Sequence, residues 1–353
     1  METLNLHVFF NNRNDENKFV PAYSNMLHKH MKESSHRFVY LGDRLQNEER
    51  QLKFISSNIV SIFKLVFGFN NFDKVVFHSV PRFRTLFLLI IAMFITRPSQ
   101  SKLFLVLWGG EIYHLSKSLK DKLKSRLSRK YLNLFCGFIT YIKKDYEVAR
   151  RLCKYKVEFV DLGGFYPSNI VEPFEMNTFV KSEGTTNILI GTSALARNNH
   201  ISIIQHLENF SFEKNVKFYF PLSYGDKAYG DSIAQIAKQK LGTNNVVILG
   251  EFMTLEEYRK ILASMDIAIF HHLGQQGMGN IRFLLFSGAD VYLNRDSTSY
   301  EYLDDLGFEI CVIDDFSVDK KTNNRELAAK CFSLESTLIK QERFFCKKLM
   351  GIS

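Results

Sequence analysis

The chain has 353 residues, of which 46% are apolar and 24% are charged, as is ordinary for a globular protein. These values exclude the disordered, collagen-like and disulfide-scaffold classes, and the length favours two domains. Lys and Arg outnumber Asp and Glu by 46 to 37, and the net charge of +9 indicates an anionic partner such as nucleic acid, anionic lipid or nucleotide phosphate. The five scattered cysteines form no C-x-x-C pair, which argues against a zinc site or a disulfide framework.

The first residues lack the basic start and the long apolar stretch of a signal peptide, so we expect a cytoplasmic protein. The most apolar run, Thr85 to Thr96, carries no charge. It is about a third too short for a membrane-spanning helix, which needs roughly 20 residues. A buried helix is therefore favoured there over a re-entrant or interfacial one.

Short apolar runs alternate with segments of helical length in the first half of the chain. The runs, which predict buried strands, are LNLHVFF, HRFVYLG, KVVFHSV, KLFLVLWGG and GFITYI. The segments between them, which predict helices, span residues 18–32, 49–65, 81–96 and 114–134. This alternation is typical of a parallel sheet that is covered by helices on both faces.

A stretch rich in turn-forming residues, from Gly163 to Gly184, interrupts this pattern and predicts a linker at residues 166–184. A second alternation follows the linker. Its predicted strands are TNILIGTSA, VKFYFPLSYG, NVVILGEF, DIAIFHH and DVYLNRD, and its predicted helices span residues 200–209, 227–241, 255–265 and a segment from about Asn280.

The two alternations predict an α/β protein with two Rossmann-like domains, residues 1–165 and 185–335, whose parallel sheets face a cleft. Residues 336–353 are expected to form a C-terminal helix, which could pack back on the N-terminal domain. Ligands of open parallel sheets bind beyond the carboxyl ends of the strands. We therefore expect the functional residues directly after strands.

The first strand-end motif is Trp108-Gly109-Gly110-Glu111, where two glycines allow a tight turn and the close approach of a substrate. The Glu111 carboxylate suits either a general base or acceptor-binding group, or a helix N-terminal carboxylate that the helix dipole favours. His78 and His7 follow or lie in strands of the same half. Each could bind or deprotonate an acceptor hydroxyl, or could be a hydrogen-bonded histidine near the core.

The second motif runs from Gly191 through Thr192 and Ser193 to His200, between the strand NILI and a helix. Small and hydroxylated residues in such a turn offer backbone N–H groups to phosphate, and Arg197 adds a permanent charge with a planar fork. The alternative is a plain turn with asparagine capping.

The third motif, from Phe270 to Arg282, has three glycines within six residues just before a helix and predicts a cradle for a diphosphate. It lacks the P-loop lysine and lies too late for an opening dinucleotide fingerprint, so ATPase and dehydrogenase functions are disfavoured. The adjacent His271 and His272 have no accompanying carboxylate pair and do not indicate a metal site. We expect neither a metal nor a cofactor.

A basic helix is predicted at residues 115–131, where Leu115, Leu119, Leu123, Leu127 and Tyr131 recur at every fourth position. Seven positive charges surround this stripe, among them Lys120, Lys124 and Arg126. The helix could pack its leucines on the sheet and solvate its charges, or it could dock on an anionic membrane surface. The apolar segment from Arg82 to Phe94 is the next candidate for a membrane contact.

Four of these strand ends carry motifs that resemble glycosyltransferase family 56: FHS at Phe77, WGGEIY at Trp108, GTSALARNNH at Gly191 and PLSYG at Pro221. The segment from Val246 to Ile310 resembles the donor half of the same family. The type of this family, also called 4-alpha-L-fucosyltransferase, adds 4-acetamido-4,6-dideoxygalactose from its dTDP form to lipid II of enterobacterial common antigen. The resemblance implies a GT-B fold with no required metal.

The resemblance also implies site residues. The donor would be held by Arg197, Tyr224, Gln275, Gln276, Gly277, Gly279 and Asn280, while Glu111 and His78 would face the acceptor. The implied protein is a bacterial glycosyltransferase, peripheral at the cytoplasmic face of the inner membrane. It would use a nucleotide-sugar donor and a polyprenyl-diphosphate-linked saccharide acceptor.

Two other functions compete with this one. A non-catalytic nucleotide- or sugar-binding protein could use the same two-domain scaffold. Nucleic-acid binding would rest on the charge and the basic helix alone, because the sequence carries no recognised nucleic-acid motif, so we do not expect a nucleic-acid partner.

Overall fold

The computed structural model describes residues 2–10, 19–42, 52–109, 122–172, 184–212 and 215–346. It divides into two compact units, one formed by Met1–Ser168 together with Glu335–Ser353 and the other by Asn169–Leu334. Each unit is built on a parallel sheet with helices. The predicted class, two α/β domains with parallel sheets, is confirmed.

The sheet of the first unit has seven parallel strands. They are β1 (Thr3–Phe10), β2 (Ser34–Leu41), β3 (Leu52–Ile55), β4 (Lys74–Phe77), β5 (Leu103–Val106), β6 (Gly137–Ile139) and β7 (Glu158–Val160). Their order is β3-β2-β1-β4-β5-β6-β7. The first three strands are added toward one side of the sheet and the later ones toward the other, so the strand order reverses between β1 and β4. The carboxyl ends of these two strands form the topological switch point, where open sheets bind ligands.

In the described part of the chain before residue 169, the helices that accompany this sheet are α1 (Phe19–His30), α2 (Ile59–Phe67), α3 (Phe83–Thr96), α4 (Lys122–Leu132) and α5 (Lys143–Arg151). Residues such as Val8, Phe77 and Leu105 are buried in its core, because a parallel sheet is covered on both faces. The prediction of one helix over residues 49–65 is wrong, since this segment contains β3. The helix α2 begins only after Asn58, whose side-chain oxygen accepts the Ser61 N–H at 2.9 Å.

The sheet of the second unit has six parallel strands: β8 (Thr185–Ile190), β9 (Asn215–Pro221), β10 (Val246–Leu249), β11 (Ile267–Phe270), β12 (Asp290–Leu293) and β13 (Cys311–Val312). Their order is β10-β9-β8-β11-β12-β13, which puts the switch point between β8 and β11. The helices are α6 (His200–Glu208), α7 (Lys227–Leu241), α8 (Leu255–Ala263), α9 (Met278–Ser287), α10 (Thr298–Asp305) and α11 (Arg325–Phe332).

A buried arginine ties the start of the second unit to its core. Arg282 on α9 is fully buried, and it donates to the Asn169 carbonyl at 3.3 Å and to the Tyr302 hydroxyl at 3.1 Å. Its guanidinium also lies 4.5 Å from the centre of the Phe332 ring. The chain from Asn169 onward therefore packs as part of the second unit.

The last helix, α12 (Leu334–Phe345), returns to the first unit. The Thr3 hydroxyl donates to the Phe345 carbonyl at 2.7 Å, and the Gly164 N–H donates to the Thr337 hydroxyl at 3.1 Å. Lys340 pairs with Asp161 at 2.5 Å. In the described part of the chain, no helix is both long and apolar enough to cross a membrane.

Candidate functional site

Two strand-end loops meet at the switch point of the second sheet. The Gly191 N–H donates to the Ile269 carbonyl at 3.0 Å, which aligns the end of β8 with the end of β11. Beyond the strands, Gln276 Nε2 donates to Thr192 Oγ1 at 3.1 Å. A Cβ atom on Gly277 would lie only 2.4 Å from Thr192 Cγ2. The structure thus brings together two of the motifs that the sequence singled out.

The loop after β8 is organised by Asn198, which the sequence analysis did not single out. Its Oδ1 accepts from the Thr192 N–H and hydroxyl, both at 3.1 Å, while its Nδ2 donates to the Ser193 carbonyl at 2.9 Å. The N–H groups of Gly191 and Ala194 are also bonded, to Ile269 and Tyr224. These three N–H groups are therefore already hydrogen-bonded within the protein, and the predicted contact of phosphate with this turn stays a prediction.

Arg197 lies in a single 3₁₀ turn, Ala196–Asn198, and is exposed to solvent. Its charge reaches the neighbouring loop, because burial, Arg197 and His271 together lower the pKa of His272 to about 4. His272 is therefore neutral at pH 7. Arg197 therefore supplies an exposed positive charge beside this loop, and an anion could bind to it.

The helix α9 begins at the glycine-rich loop without a side-chain cap. Gly277 is its N-cap, with a left-handed backbone at φ 63° that favours glycine. The N–H groups of the next residues, Met278, Gly279 and Asn280, have no partner within the helix. The positive end of the helix dipole and these donors are features that suit the binding of an anion.

The remaining predicted donor residues surround this helix start. Asn280 Nδ2 donates to the Tyr258 hydroxyl at 2.9 Å, which fixes its side chain against α8. Gln275 is partly buried, and Gln276 Oε1 is buried without a hydrogen-bond partner among the described residues. A buried acceptor of this kind normally has a partner, which a bound ligand could supply.

Tyr224 extends the site along the end of β9. Its carbonyl accepts the Ala194 N–H at 2.7 Å, and the Ala194 carbonyl accepts the Asp226 N–H at 2.8 Å. Gly225 permits this close approach, since a Cβ there would lie 2.5 Å from the Ala194 oxygen. The Tyr224 ring itself remains 45% exposed, so it is available to a ligand.

The carboxyl edge of the first sheet is lined with aromatic rings. Trp108 Nε1 donates to the His78 carbonyl at 2.5 Å, and its ring stacks on Tyr166 at 5.0 Å between centroids. His78 is buried, with Phe9 stacked on its ring at 3.8 Å. Both of its ring nitrogens are hydrogen-bonded, to Tyr166 at 2.6 Å and to His7 at 3.0 Å. Its predicted role toward an acceptor therefore has to pass through one of these partners.

Glu111 and Lys120 lie outside the described residues, so their predicted roles stay predictions. Lys124 lies within α4, but its side chain is likewise outside the description. Arg126 is exposed. Of the predicted leucine stripe, Leu127 and Tyr131 are buried in the core of the first unit, so this part of α4 presents charge rather than apolar surface.

Within the described ranges, no three His, Cys, Asp or Glu side chains are grouped so that they could hold a metal ion. The five cysteines are free thiols.

Solved structures that share this fold include glycosyltransferases of the GT-B class. HepE of Anabaena, in complex with UDP and glucose, is 12% identical with a TM-score of 0.65, covering 96% of this chain and 98% of that one. The lipopolysaccharide outer core galactosyltransferase WaaB is 9% identical with a TM-score of 0.64, covering 97% and 99%. The two sheets described above therefore form a GT-B fold.

The sequence narrows this class to one family. The family model of glycosyl transferase group 56, 4-alpha-L-fucosyltransferase, matches residues 69–331. This range includes the ends of β4, β5, β8, β9 and β11. The chain belongs to glycosyl transferase group 56, and it is a glycosyltransferase.

Three residues that shape these strand ends are not predicted from the sequence: Asn198, Tyr258 and Tyr166. The sequence indicates only capping for the two asparagines after Arg197, whereas Asn198 bridges the turn in which it lies. Tyr258 lies far from the glycine-rich loop in sequence. Tyr166 falls in the predicted linker, and no local pattern indicates that its hydroxyl contacts His78.

We expect Gly277→Ala to destabilise the second unit. A left-handed backbone costs a non-glycine residue roughly 1 to 2 kcal/mol, and forcing a methyl against Thr192 adds about 1 to 3 kcal/mol. Heat unfolding should show a lower midpoint. The matched control is Gly250→Ala, where the nearest atom to a Cβ is Ile248 Cγ2 at 3.8 Å. Equal midpoints for the two variants would contradict the close packing of the loops.

Proposed function

We propose that this glycosyltransferase moves a fucose-like or dideoxy-amino sugar from a nucleotide diphosphate donor, dTDP-linked, to a polyprenyl-diphosphate-linked saccharide in bacterial surface polysaccharide synthesis. The observation that carries the donor part is the uncapped start of α9 at the switch point of the second sheet. A diphosphate has the charge and the acceptor oxygens that this helix end binds. The structure of HepE with UDP and glucose supports a donor of this class.

The donor's diphosphate would lie against the N–H groups at the start of α9, with Arg197 beside it. Gln276 Oε1 would accept a hydrogen bond from a sugar hydroxyl or an amide N–H, since it is buried without a partner among the described residues. Tyr224 is exposed at the adjacent strand end and suits stacking on the base or the sugar.

In the transfer step, an acceptor hydroxyl attacks the anomeric carbon while the bond to the β-phosphate oxygen breaks. The proton passes from the hydroxyl to a general base, for which we propose the carboxylate of Glu111. Negative charge grows on the leaving diphosphate. Arg197 and the positive end of α9 would stabilise that charge without a metal ion.

A lipid-linked acceptor requires that the enzyme reach a membrane surface. The first unit carries a protein surface that suits this contact. On α3 the exposed residues Phe83, Phe87 and Phe94 follow one helical face. On α2, which packs against α3, Ile59, Val60 and Phe67 are exposed as well. We call the exposed side chains of α2 and α3 the apolar face.

Positive charge flanks the apolar face. Arg84 and Arg97 are exposed on and next to α3, and Lys64 is exposed on α2. The basic helix α4, with exposed Arg126 and Arg129, packs against α3 from another side. Apolar side chains rimmed by basic ones suit an anionic bilayer surface, where each basic residue contributes about 1 kcal/mol. This combination supports a peripheral location at the cytoplasmic face of the inner membrane.

A transfer assay tests the proposed reaction. Wild-type protein should form glycosylated polyprenyl product from a dTDP-sugar and much less from the UDP-sugar, in the presence of EDTA. Glu111→Gln keeps the shape and removes the base, so it should bind the donor normally but lose about 100-fold in turnover. Donor binding without transfer by wild-type protein, or equal use of both donors, would contradict the proposal.

Arg197 is expected to stabilise the leaving diphosphate. Arg197→Ala should lower kcat by about 100-fold or more, as the removal of other pre-organised charge stabilisers does. Arg197→Lys keeps the charge without the planar fork and should restore part of the activity. Steady-state kinetics check this, with heat unfolding as the control for folding. Unchanged kinetics in folded Arg197→Ala protein would exclude the assignment.

Membrane binding should depend on both the apolar face and the basic residues. Replacing Phe83, Phe87 and Phe94 by Ser should lower co-sedimentation with anionic liposomes, because burial of a Phe side chain contributes about 1.5 to 3 kcal/mol. Replacing Lys120, Lys124 and Arg126 by Glu should lower the part of the binding that salt removes. The matched control is Phe252→Ser, at an exposed position of the second unit. If the triple Ser variant binds as well as the control, the apolar face does not contact the membrane.

A further inference from the structure

Five side chains form an unbroken line of hydrogen bonds through the first unit. The Tyr166 hydroxyl lies 2.6 Å from His78 Nδ1, and His78 Nε2 lies 3.0 Å from His7 Nδ1. His7 Nε2 then lies 2.9 Å from His36 Nδ1, and His36 Nε2 lies 2.8 Å from Ser34 Oγ. Every nitrogen of the three imidazoles is used. We call these five residues the histidine line.

The histidine line runs from one edge of the sheet to the other. His78 directly follows β4, at the carboxyl edge where acceptor binding is proposed. His7 lies within β1, and Ser34 is the first residue of β2, at the amino edge. There the Ser34 side chain is hydrogen-bonded to the thiol of Cys346, which is partly exposed. The line therefore joins the proposed acceptor edge to solvent at the opposite edge.

Aromatic rings seal the line from water between its ends. Phe38 stacks on His7 at 4.8 Å between centroids, and the Phe345 ring stands edge-on to His36 at 4.9 Å. His7 and His78 are 0% and 2% exposed. No carboxylate of the described residues hydrogen-bonds to these imidazoles. Burial lowers the pKa of His7 and His78 well below the usual value. The pKa of His36 is lowered to about 3, mainly by burial and to a smaller extent by His28.

Neutral imidazoles make the line directional. Each neutral ring has one donor and one acceptor nitrogen. If Tyr166 donates to His78, then every histidine must carry its proton on Nε2 and Ser34 must accept. If Ser34 donates to His36, then every histidine must carry its proton on Nδ1 and Tyr166 must accept. All five groups are satisfied only in these two states, so the tautomers of the three histidines must change together.

We propose that the histidine line is a proton relay between the carboxyl and amino edges of the first sheet. As a proton arrives at the Tyr166 oxygen, the Tyr166 proton passes to His78 Nδ1, and one proton passes in turn from each Nε2 to the next Nδ1. The last Nε2 proton passes to Ser34 Oγ, whose own proton leaves toward Cys346 and solvent. One proton enters and one leaves, and each imidazole stays neutral in the other tautomer. After product release, a proton from solvent enters at Ser34 and one leaves from Tyr166 to solvent at the carboxyl edge, which returns every histidine to its first tautomer.

The relay rests on the proposed function only for the origin of its proton, which would be the acceptor hydroxyl. Tyr166 lies at the carboxyl edge, where its ring stacks on Trp108. In this scheme the proton enters the line at the Tyr166 hydroxyl. The three histidines touch no substrate in this scheme and act through Tyr166.

Changes at opposite ends of the line test the coupling at its centre. Tyr166→Phe leaves His78 Nδ1 without a partner, and Ser34→Ala leaves His36 Nε2 without one. An orphaned acceptor is tolerated better than an orphaned N–H donor. Tyr166→Phe should therefore favour Nε2–H in all three rings, and Ser34→Ala should favour Nδ1–H. Nitrogen-15 NMR of histidine-labelled protein should show a higher Nδ1–H population at His7 in Ser34→Ala than in Tyr166→Phe.

Matched controls exclude a general effect of each substitution. Ser35→Ala changes the neighbouring serine, whose hydroxyl bonds to Glu2, and Tyr155→Phe changes an exposed tyrosine. Neither should alter His7. If Ser34→Ala does not fold, His36→Leu opens the line at the same end and should shift His7 in the same direction. Equal tautomer populations at His7 in the two end variants would overturn the relay.

A kinetic measurement tests whether the relay serves the transfer reaction. His36→Leu should lower kcat by about tenfold, less than the roughly 100-fold effect of removing a general base. KM should not change, because His36 lies far from the acceptor edge. An unchanged kcat would overturn the transport of the acceptor's proton. The NMR experiment needs no substrate, so it decides the coupling even if the proposed donor or acceptor is wrong.

Discussion

The packing of Gly277 against the Thr192 methyl group sets the geometry of the two loops at the switch point of the second sheet. Gly277 has no side chain, and Thr192 Cγ2 occupies the space that a Cβ would need. This contact lets Gln276 reach Thr192, and the same glycine has the left-handed backbone that starts α9. The free N–H groups of α9 are therefore held at the switch point rather than beyond it. Any side chain at this position separates the two loops and moves the helix end with them.

The two units use the same topology for different chemistry. In the second unit, the switch point is left with uncapped backbone donors and an exposed arginine, an arrangement suited to a small, highly charged group. In the first unit, the corresponding edge is filled by the rings of Phe9, Trp108 and Tyr166. Aromatic rings with polar tips suit sugar faces and the apolar parts of a larger ligand. The fold fixes where ligands bind, and the side chains at the strand ends decide which ligand each edge takes.

Much of the fold followed from the sequence because both sheets are parallel and buried. Their strands are continuous apolar runs, as at Val75 to Phe77 and Ile188 to Ile190, and the helices between them are long enough to separate the runs. The strand β3 was missed because LKFI is a short run beside a helix of similar apolarity. Periodicity cannot separate two such neighbours.

The site was less predictable, because its geometry depends on side-chain contacts between distant segments. The glycines of the loop after β11 were evident from spacing, but their partner Thr192 lies 85 positions earlier than Gly277. The Asn198 amide oxygen accepts the Thr192 N–H, one of the backbone donors that the turn seemed to offer to phosphate, while its amide nitrogen donates to the Ser193 carbonyl. A short polar side chain can cap a turn or bind a ligand, and sequence alone does not choose between these. The three-dimensional contacts of Asn198 make that choice.

The stability of the histidine line depends on all of its members being present. An apolar residue at all three positions would avoid the desolvation of six ring nitrogens, so the line does not exist for stability alone. Once it is present, removing one member leaves the next nitrogen buried and unpaired, at a cost of about 1 to 3 kcal/mol. His7 in the middle has a histidine on each side, so its loss leaves two such nitrogens, one on His78 and one on His36. The line is therefore least tolerant of substitution at His7, which lies inside β1 and at neither end of the line.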